Sequence, residues 1–222
     1  VKIDFRPFIK VEPILAKEFR QQHVNIADYN AIVFTSRHGI DHFFRLAEEM
    51  RIKIAPELQY FCVSEKIAHY LQKYIDYRKR KVHYGTTNRI CDLAPVIQKH
   101  KELNYLAVLS ADYNDEIPNL MKKVGVKYNI GMMYRTVSND FGPDEQLDYD
   151  MMLFFSPQGI NALLKNFPNY EQGDVMIGCL GSNTAAAVRN AGLRLDLEVP
   201  SPQFTSITMA LDALLKENHK RK

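Results

Sequence analysis

The chain has 222 residues, of which 46% are hydrophobic, 25% charged and 11% aromatic, a composition typical of a soluble globular protein with one large or two small domains. The longest apolar runs, such as residues 151–155, are far shorter than the roughly 18 residues that a membrane-spanning helix needs, so we expect no membrane partner. The net charge is only +3, from 29 Lys and Arg against 26 Asp and Glu, and this small excess argues against a nucleic-acid partner.

Short runs of β-branched and aromatic residues alternate along the chain with segments whose apolar residues recur at three- and four-residue steps. The first pattern predicts strands and the second predicts helices. The predicted strands are 31–35, 60–63, 81–84, 105–109, 127–135, 151–155, 175–180 and 195–199. The predicted helices are 40–50, 66–73, 90–100, 117–124, 160–167, 184–191 and 206–217.

The repeated order of strand and helix predicts an α/β fold with parallel sheets. Parallel strands need crossover connections, and helices supply them. The predicted strands are almost entirely apolar, which is typical of sheets that are covered on both faces.

Part of the first half of the sequence recurs in the second half. Residues 32–40 read IVFTSRHGI and residues 152–160 read MLFFSPQGI, so each is a strand, a Ser, two residues and a Gly-Ile pair that opens a helix. Residues 61–68 and 179–185 correspond in the same way, at nearly the same offset. Two matches in the same order indicate a duplication into two similar domains.

The glycine-rich signatures of dinucleotide sites and P-loops and the G-x-S-x-G motif of hydrolases do not occur in the sequence. What recurs is a strand that ends in Ser or Thr and leads into a helix. Such hydroxyls, with the N–H groups of a helix start, either hold an anionic ligand or only cap their own helix. The positions are Thr35, Ser36, Ser64, Thr86, Thr87, Ser110, Ser156, Ser182 and Thr184.

Two other clusters of polar residues have an ordinary structural explanation. His38 and His42 share one face of a predicted helix, where they either bind a metal or face solvent; no third ligand accompanies them, which favours the solvent-facing surface. In the acidic stretch 112–116, Asn114 or Asp115 is expected to cap the following helix rather than to bind a metal. We therefore expect no metal site.

The cysteines indicate a reducing, cytoplasmic setting. Cys62, Cys91 and Cys179 are widely spaced, with no C-x-x-C pair and no disulfide framework. Cys62 and Cys179 lie in apolar strands and are predicted to be core thiols rather than nucleophiles. No charged-then-apolar leader follows Val1, so no signal peptide is expected.

The most specific string is 177–193, IGCLGSNTAAAVRNAGL, which combines a strand, a Gly, a polar turn with Thr, a helix and Ala-Gly-Leu. Residues 154–159, FFSPQG, precede it, and a Pro-containing turn with a last amphipathic helix follows over 200–215. This ordered set resembles the uroporphyrinogen-III synthase family. Residues 32–43 and 133–136 are similar to the family's first-half counterpart and to the strand that returns between its domains, so the resemblance covers nearly the whole chain.

The resemblance implies two similar three-layer α/β domains with parallel sheets, joined by a two-stranded β-ladder. The first domain would be discontinuous, with residues 1–8 and 138–222, and the second would comprise residues 13–133. Segments 8–12 and 134–138 would form the ladder. In the family a strand and a helix precede the position of Val1, so we expect the start of the first domain to be missing from this sequence.

The resemblance also implies an activity, that of a cyclising hydro-lyase. The reaction closes hydroxymethylbilane to uroporphyrinogen III, with loss of water and inversion of the terminal pyrrole ring. The electron-rich pyrrole expels the hydroxyl itself, so no cofactor is expected and orientation is the main catalytic contribution. Tyr134 is expected either to donate a hydrogen bond to the departing hydroxyl or only to pack at the domain junction.

The substrate is a flexible polycarboxylate, which main-chain N–H groups and hydroxyls can hold. Ser182 and Asn183 stand where the family has Pro-Thr, and the turn at Ser64 lacks the usual Gly and Thr, which leaves ligand contacts there open. The enzyme is expected to be a monomer. The alternative is a non-catalytic, two-lobed regulatory module that binds polycarboxylates or other anions, since one fold supports several functions. Residues expected to bind the substrate, most of them lining a cleft between the domains, are Thr35, Ser36, Arg37, His38, Gly39, Ser64, Thr86, Ser110, Ser156, Pro157, Gln158, Gly159, Ser182, Asn183 and Thr184.

Overall fold

The computed structural model describes residues 2–87, 89–142 and 145–220. It is an α/β fold dominated by parallel strand pairs. The chain divides into two compact units: the central unit, Val11–Thr136, and the terminal unit, Val1–Lys10 with Val137–Lys222. None of the helices in the described ranges has the length and apolar character that crossing a bilayer requires.

Six strands form one sheet, most of which lies in the central unit. They are β1 (Ile9–Pro13), β2 (Ala31–Phe34), β3 (Gln59–Cys62), β4 (Val82–Tyr84), β5 (Asn104–Ser110) and β6 (Lys127–Ser138). Their order across the sheet is β1-β6-β5-β2-β3-β4, and the neighbours from β6 to β4 are parallel. The carboxyl ends of five strands therefore meet at one edge of the sheet.

Helices cover both faces of this sheet. In β2, Ile32 and Phe34 pack in one core with α2 and α3, and Ala31 and Val33 pack in a second core with α4 and α5. All four residues are fully buried, because successive side chains of a strand point to opposite, covered faces. The helices are α1 (Ala16–Phe19), α2 (Arg37–Glu49), α3 (Glu65–Tyr70), α4 (Ala94–Gln98) and α5 (Glu116–Val124), with short 3-10 turns at Arg20–Gln22, Ile26–Asp28, Leu71–Lys73 and Ile90–Leu93.

The terminal unit has a three-stranded parallel sheet in the order β7-β8-β9, with β7 at Met151–Phe154, β8 at Met176–Leu180 and β9 at Leu197–Val199. Its helices are α6 (Pro157–Asn166), α7 (Ser182–Asn190) and α8 (Ile207–Lys220). Phe154 packs with Ile160 and Val188 on one face of the sheet, and Val199 packs with Ala210 of α8 on the other. This sheet, too, is covered on both faces.

The predicted strands and helices are confirmed, with differences of a few residues at their ends. Helices α2, α6 and α7 begin at Arg37, Pro157 and Ser182, before the predicted starts at 40, 160 and 184, because their first turns are polar and carry no apolar periodicity. The predicted helix 90–100 is divided into a 3-10 turn and α4, whose first turn contains Pro95. Of the two expected caps of α5, Asp115 occupies the cap position without a side-chain bond to the helix, whereas Asn114 Oδ1 accepts the N–H of Glu116, the first residue of α5, at 3.2 Å.

The sequence repeat corresponds to a repeat of structure. The order β2-α2-β3-α3-β4 in the central unit matches β7-α6-β8-α7-β9 in the terminal unit, and in both the three strands are adjacent and parallel. Gly39 and Gly159 occupy the same place in the first turn of α2 and α6, and both are buried.

The cysteines of β3 and β8 are core residues, as predicted. Cys62 and Cys179 are fully buried, and burial raises the pKa of the Cys62 thiol to about 12 and also raises the pKa of Cys179. Both are therefore neutral at physiological pH, whereas Cys91 is exposed.

Candidate functional site

In the central unit, the predicted hydroxyl residues lie at the carboxyl edge of the sheet. Thr35 and Ser36 follow β2, Ser64 follows β3, Thr86 follows β4 and Ser110 ends β5. Only some of them lead straight into a helix: Ser36 and Ser64 do, whereas a loop separates Ser110 from α5, and Thr86 precedes a 3-10 turn. The fifth strand of this edge, β6, contributes Tyr134.

Tyr134 is the centre of a compact group of polar and aromatic side chains. It is paired in register with Ser110, and its hydroxyl lies 2.9 Å from Ser36 Oγ. The His42 ring is stacked on the Tyr134 ring at 5.4 Å between centroids, and the exposed His38 ring lies 6.2 Å away. Tyr134 is only 7% exposed, so its orientation is fixed by neighbours on several sides.

Ser36 links Tyr134 to the start of α2. The Gly39 N–H donates to Ser36 Oγ at 3.0 Å, so the same oxygen caps the helix and contacts the tyrosine hydroxyl. Ser64 caps α3 in the same way, with the Ile67 N–H at 3.4 Å. Arg37 is exposed, and its guanidinium lies over the Tyr70 ring at 5.3 Å.

The electrostatic environment favours the neutral forms of Tyr134 and His42. Burial raises the pKa of the Tyr134 hydroxyl, and the charge of Asp112 raises it further. The hydrogen bond with Ser36 lowers it. Burial lowers the pKa of His42, with further lowering from Arg45 and His38. Arg45 Nε donates to His42 Nδ1 at 3.3 Å, so the neutral imidazole carries its proton on Nε2.

Neighbouring groups hold Asp112, the carboxylate that contributes to raising the pKa of Tyr134. Ser110 Oγ donates to Asp112, and the Thr136 N–H donates to Asp112 Oδ1 at 3.4 Å. Thr86 is exposed, and its neighbour Thr87 donates its N–H to Asp92 at 2.7 Å. Across the described ranges, no group of three or more His, Cys, Asp and Glu side chains is arranged to hold a metal ion.

The corresponding edge of the terminal unit is built differently. Ser156 occupies the cap position of α6 and Gly181, at φ +89°, that of α7, and neither residue gives its helix a side-chain cap. The Gly159 N–H donates to the Ser156 backbone oxygen at 3.1 Å, and Pro157 and Gln158 complete that half-buried turn. A side chain at Gly159 would come within 3.1 Å of the Phe154 ring, so the turn packs closely on the sheet.

The first turn of α7 exposes two of its three predicted ligands. Ser182 and Asn183 are exposed, whereas Thr184 is only 3% exposed. Two large apolar side chains are also exposed at this edge: Phe155, after β7, at 62% and Leu180, at the end of β8, at 39%. Sequence analysis did not single out either residue, because both continue apolar strand runs.

Comparison with known proteins adds the decisive observation. A family model described as uroporphyrinogen-III synthase HemD matches residues 1–208. The chain belongs to the uroporphyrinogen-III synthase family. These enzymes are cyclising hydro-lyases of heme biosynthesis, and the membership argues against the non-catalytic anion-binding module. No curated protein sequence matches the chain.

Solved structures of uroporphyrinogen-III synthases share the fold. The chain is similar to the enzyme from Helicobacter pylori, with a TM-score of 0.65 and 14% identity over 94% of this chain and 90% of that one. It is also similar to a mutant enzyme from Thermus thermophilus, with a TM-score of 0.56 and 15% identity over 97% of this chain and 88% of that one. At these identities the structures establish the fold, and the residue roles must come from the geometry of this chain.

The geometry revises one expectation from the sequence. His42 does not belong to a solvent-facing surface: it is half-buried and stacked on Tyr134, while only His38 is exposed. The spacing of four residues between the histidines placed both on one helix face, but the partner of that face lies 92 positions away from His42 in sequence, on β6. Asp112 joined the group for the same reason, since Tyr134 lies 22 positions from it in sequence.

Proposed function

We propose that this chain cyclises hydroxymethylbilane to uroporphyrinogen III, with loss of water and inversion of the terminal pyrrole ring. The observation that supports it most directly is the Tyr134 hydroxyl, held by Ser36 at the sheet edge where the predicted substrate ligands gather. The family membership gives the reaction class, and Tyr134 gives a proton donor for it.

The departing hydroxyl needs a proton rather than a strong catalytic acid. The lone pair of the adjacent pyrrole nitrogen drives the C–O bond apart while the Tyr134 hydroxyl gives its proton to the departing oxygen, which leaves as water. After ring closure, the proton lost from the pyrrole carbon returns to the phenolate. Burial raises the pKa of Tyr134, so this residue stays protonated near neutral pH and presents a donor without placing a charge there.

The substrate carboxylates have suitable partners in both units. In the terminal unit, α7 begins without a side-chain cap, so its first N–H groups are available to an anion, as are the exposed Ser182 and Asn183. In the central unit, Thr35 and Thr86 supply hydroxyls, the exposed Arg37 supplies a guanidinium and the exposed His38 supplies a ring nitrogen. The exposed Phe155 and Leu180 offer an apolar surface on which pyrrole rings can pack.

Orientation supplies the remaining catalysis. Without the enzyme, hydroxymethylbilane closes without inversion to the type I isomer, so the protein must hold the substrate curled along the spiro route. Fixing reactants in this way contributes several kcal/mol in favourable cases, about 7–11 kcal/mol at the limit. The reaction therefore calls for no cofactor, and the proposal includes none.

The proposal also includes the domain arrangement of the family. The central and terminal units would be its two α/β domains, linked through β1 and β6. In support, the Ile14 N–H donates to Met133 O at 3.0 Å and the Asn139 N–H donates to Phe8 O at 2.8 Å, a pattern of antiparallel pairing along these strands. We propose that the enzyme is a monomer in the cytoplasm, which sedimentation at working concentration and cell fractionation would test.

The test is an isomer assay on purified protein. Hydroxymethylbilane is incubated with the chain, the products are oxidised to porphyrins, and the type I and type III isomers are separated by chromatography. We expect the type III isomer in excess, while a protein-free control gives the type I isomer. If the protein binds hydroxymethylbilane but only the type I isomer forms at every protein concentration, the chain is instead an anion-binding module.

A further inference from the structure

Ser36 occupies a position between a helix start and the proposed proton donor. Its Oγ accepts the Gly39 N–H at 3.0 Å and lies 2.9 Å from the Tyr134 hydroxyl, with either of the two hydroxyls as donor. A serine hydroxyl has one hydrogen and two acceptor sites, so Ser36 can keep its bond from Gly39 whichever way the Tyr134 bond points. Both contacts are to the protein itself.

We propose that Ser36 acts on the reaction through Tyr134, as a positioning residue, and not as a ligand of the substrate. This inference rests on the proposed function. Before the reaction, Ser36 holds the Tyr134 hydroxyl in one direction. As Tyr134 gives its proton to the departing hydroxyl, the Ser36 O–H donates a hydrogen bond to the phenolate oxygen that forms, and that bond persists until the phenolate is protonated again.

The helix start strengthens this hydrogen bond. α2 is a 13-residue helix, and the Gly39 N–H at its positive end polarises the Ser36 hydroxyl. Hydrogen bonds to an ionised acceptor are about twice as strong as neutral ones, so the Ser36 contact gains strength as the phenolate forms. The geometry is thus better matched to the reacting state than to the resting one, which is the requirement for lowering a barrier.

Stacking keeps the hydroxyl in place. The His42 ring lies nearly parallel to the Tyr134 ring, at 16° and 5.4 Å, and Arg45 holds His42 by its Nδ1. Tyr134 is itself almost fully buried and cannot swing away from Ser36 without breaking that stack. The Ser36 hydrogen bond also lowers the pKa of Tyr134 against the upward effect of burial, in the direction that phenolate stabilisation requires.

The first test compares Ser36→Ala with Ser36→Thr, which keeps a hydroxyl and suits a helix cap. We expect Ser36→Ala to lower kcat for the type III isomer about tenfold with KM changed less than about twofold, and Ser36→Thr to restore most of kcat. Ser206→Ala is the matched control for a lost cap, because Ser206 Oγ accepts the Met209 N–H at 3.3 Å in the first turn of α8, and Ser206 is not among the predicted site residues. It should lower Tm comparably and leave kcat unchanged.

The second test does not depend on activity. Tyrosine labelled with ¹³C at Cζ gives a Tyr134 signal, identified by its loss in Tyr134→Phe, and we expect its titration to shift to higher pH in Ser36→Ala. In a double mutant, Ser36→Ala should add little to the loss of kcat in Tyr134→Phe. Three results would each overturn the inference: a raised KM with kcat preserved, an unmoved titration of Tyr134, or fully additive losses of kcat. Ser36 would then be a substrate ligand. Absence of type III product from the wild type would refute the proposed function, while the titration would still report on the contact.

Discussion

Replacing Tyr134 by Phe removes one hydroxyl and leaves the rest of the site in place. The ring remains buried and stacked on His42, and Ser36 Oγ retains the Gly39 N–H. The loss of one hydrogen bond costs about 0.5–1.5 kcal/mol of unfolding free energy, so the variant should fold with a slightly lower Tm.

The effect on catalysis should be larger than the effect on stability. A positioned proton donor contributes about 10²–10⁴-fold in general, and here the pyrrole supplies much of the driving force, so the lower end of that range applies. We expect Tyr134→Phe to reduce turnover to the type III isomer about ten- to a hundredfold, which corresponds to about 1.4–2.7 kcal/mol in activation free energy.

The measurement must follow the type III isomer alone, because spontaneous closure to type I continues without the enzyme and would hide the defect in a total-porphyrin assay. Tyr105→Phe is the matched control: its ring is fully buried in β5 of the same sheet, and its hydroxyl donates to His100 O at 2.9 Å. That control should lose similar stability and no turnover. Wild-type turnover in a folded Tyr134→Phe variant would refute the reasoning and reduce Tyr134 to a packing residue.

Three further changes test the fold and the site. Phe155→Ser should raise KM about fivefold in the type III assay with kcat nearly unchanged, since loss of about 1 kcal/mol of apolar contact weakens substrate binding. Burial lowers the pKa of His83, so below about pH 6.5 the unfolded chain binds more protons than the folded one and stability decreases as the pH decreases. The free energy of unfolding in urea should therefore drop less between pH 7 and pH 5 in His83→Gln than in the wild type. Gly85→Ala should cost about 1–3 kcal/mol by urea unfolding, because the new methyl would lie 2.8 Å from the Asp92 side chain and 2.9 Å from the Val63 oxygen.

The fold could be predicted largely because its strands are apolar on both faces. A strand such as β2, with no exposed residue, is visible in sequence as an unbroken apolar run. Helix starts are less visible, because a cap such as Ser36 and the polar turn after it carry no periodicity. The short α1 was missed for a related reason: Ala16–Phe19 is too brief for a repeat of three and four residues to show.

The site was predicted in part, and the limit is one of distance along the chain. Ser36 and Tyr134 were each identified, but their contact joins residues 98 positions apart, and no local pattern encodes such a contact. His42 was noticed for its spacing from His38, yet its role follows from the tyrosine that a different strand brings to it. Sequence patterns show which hydroxyls end strands, and only the sheet order shows which of them become neighbours.

The central and terminal units share the same order of strands and helices, but their helices begin differently. We expect this difference to give the two units different roles in the reaction. In the central unit, Ser36 and Ser64 use their side chains to cap their own helices, so those first turns are already satisfied. In the terminal unit, Gly181 leaves the first N–H groups of α7 without a side-chain partner among the described residues, so a carboxylate there would meet donors that no side chain caps. Helix α6 differs, because it begins with Pro157, which has no N–H, and its Gly159 N–H donates to the Ser156 backbone oxygen. The central unit instead carries Tyr134, which is stacked on the His42 ring and mostly buried. This environment favours proton donation over anion binding. Substitutions in the first turn of α7 should therefore change substrate affinity, whereas substitution of Ser36 at the start of α2 should change turnover.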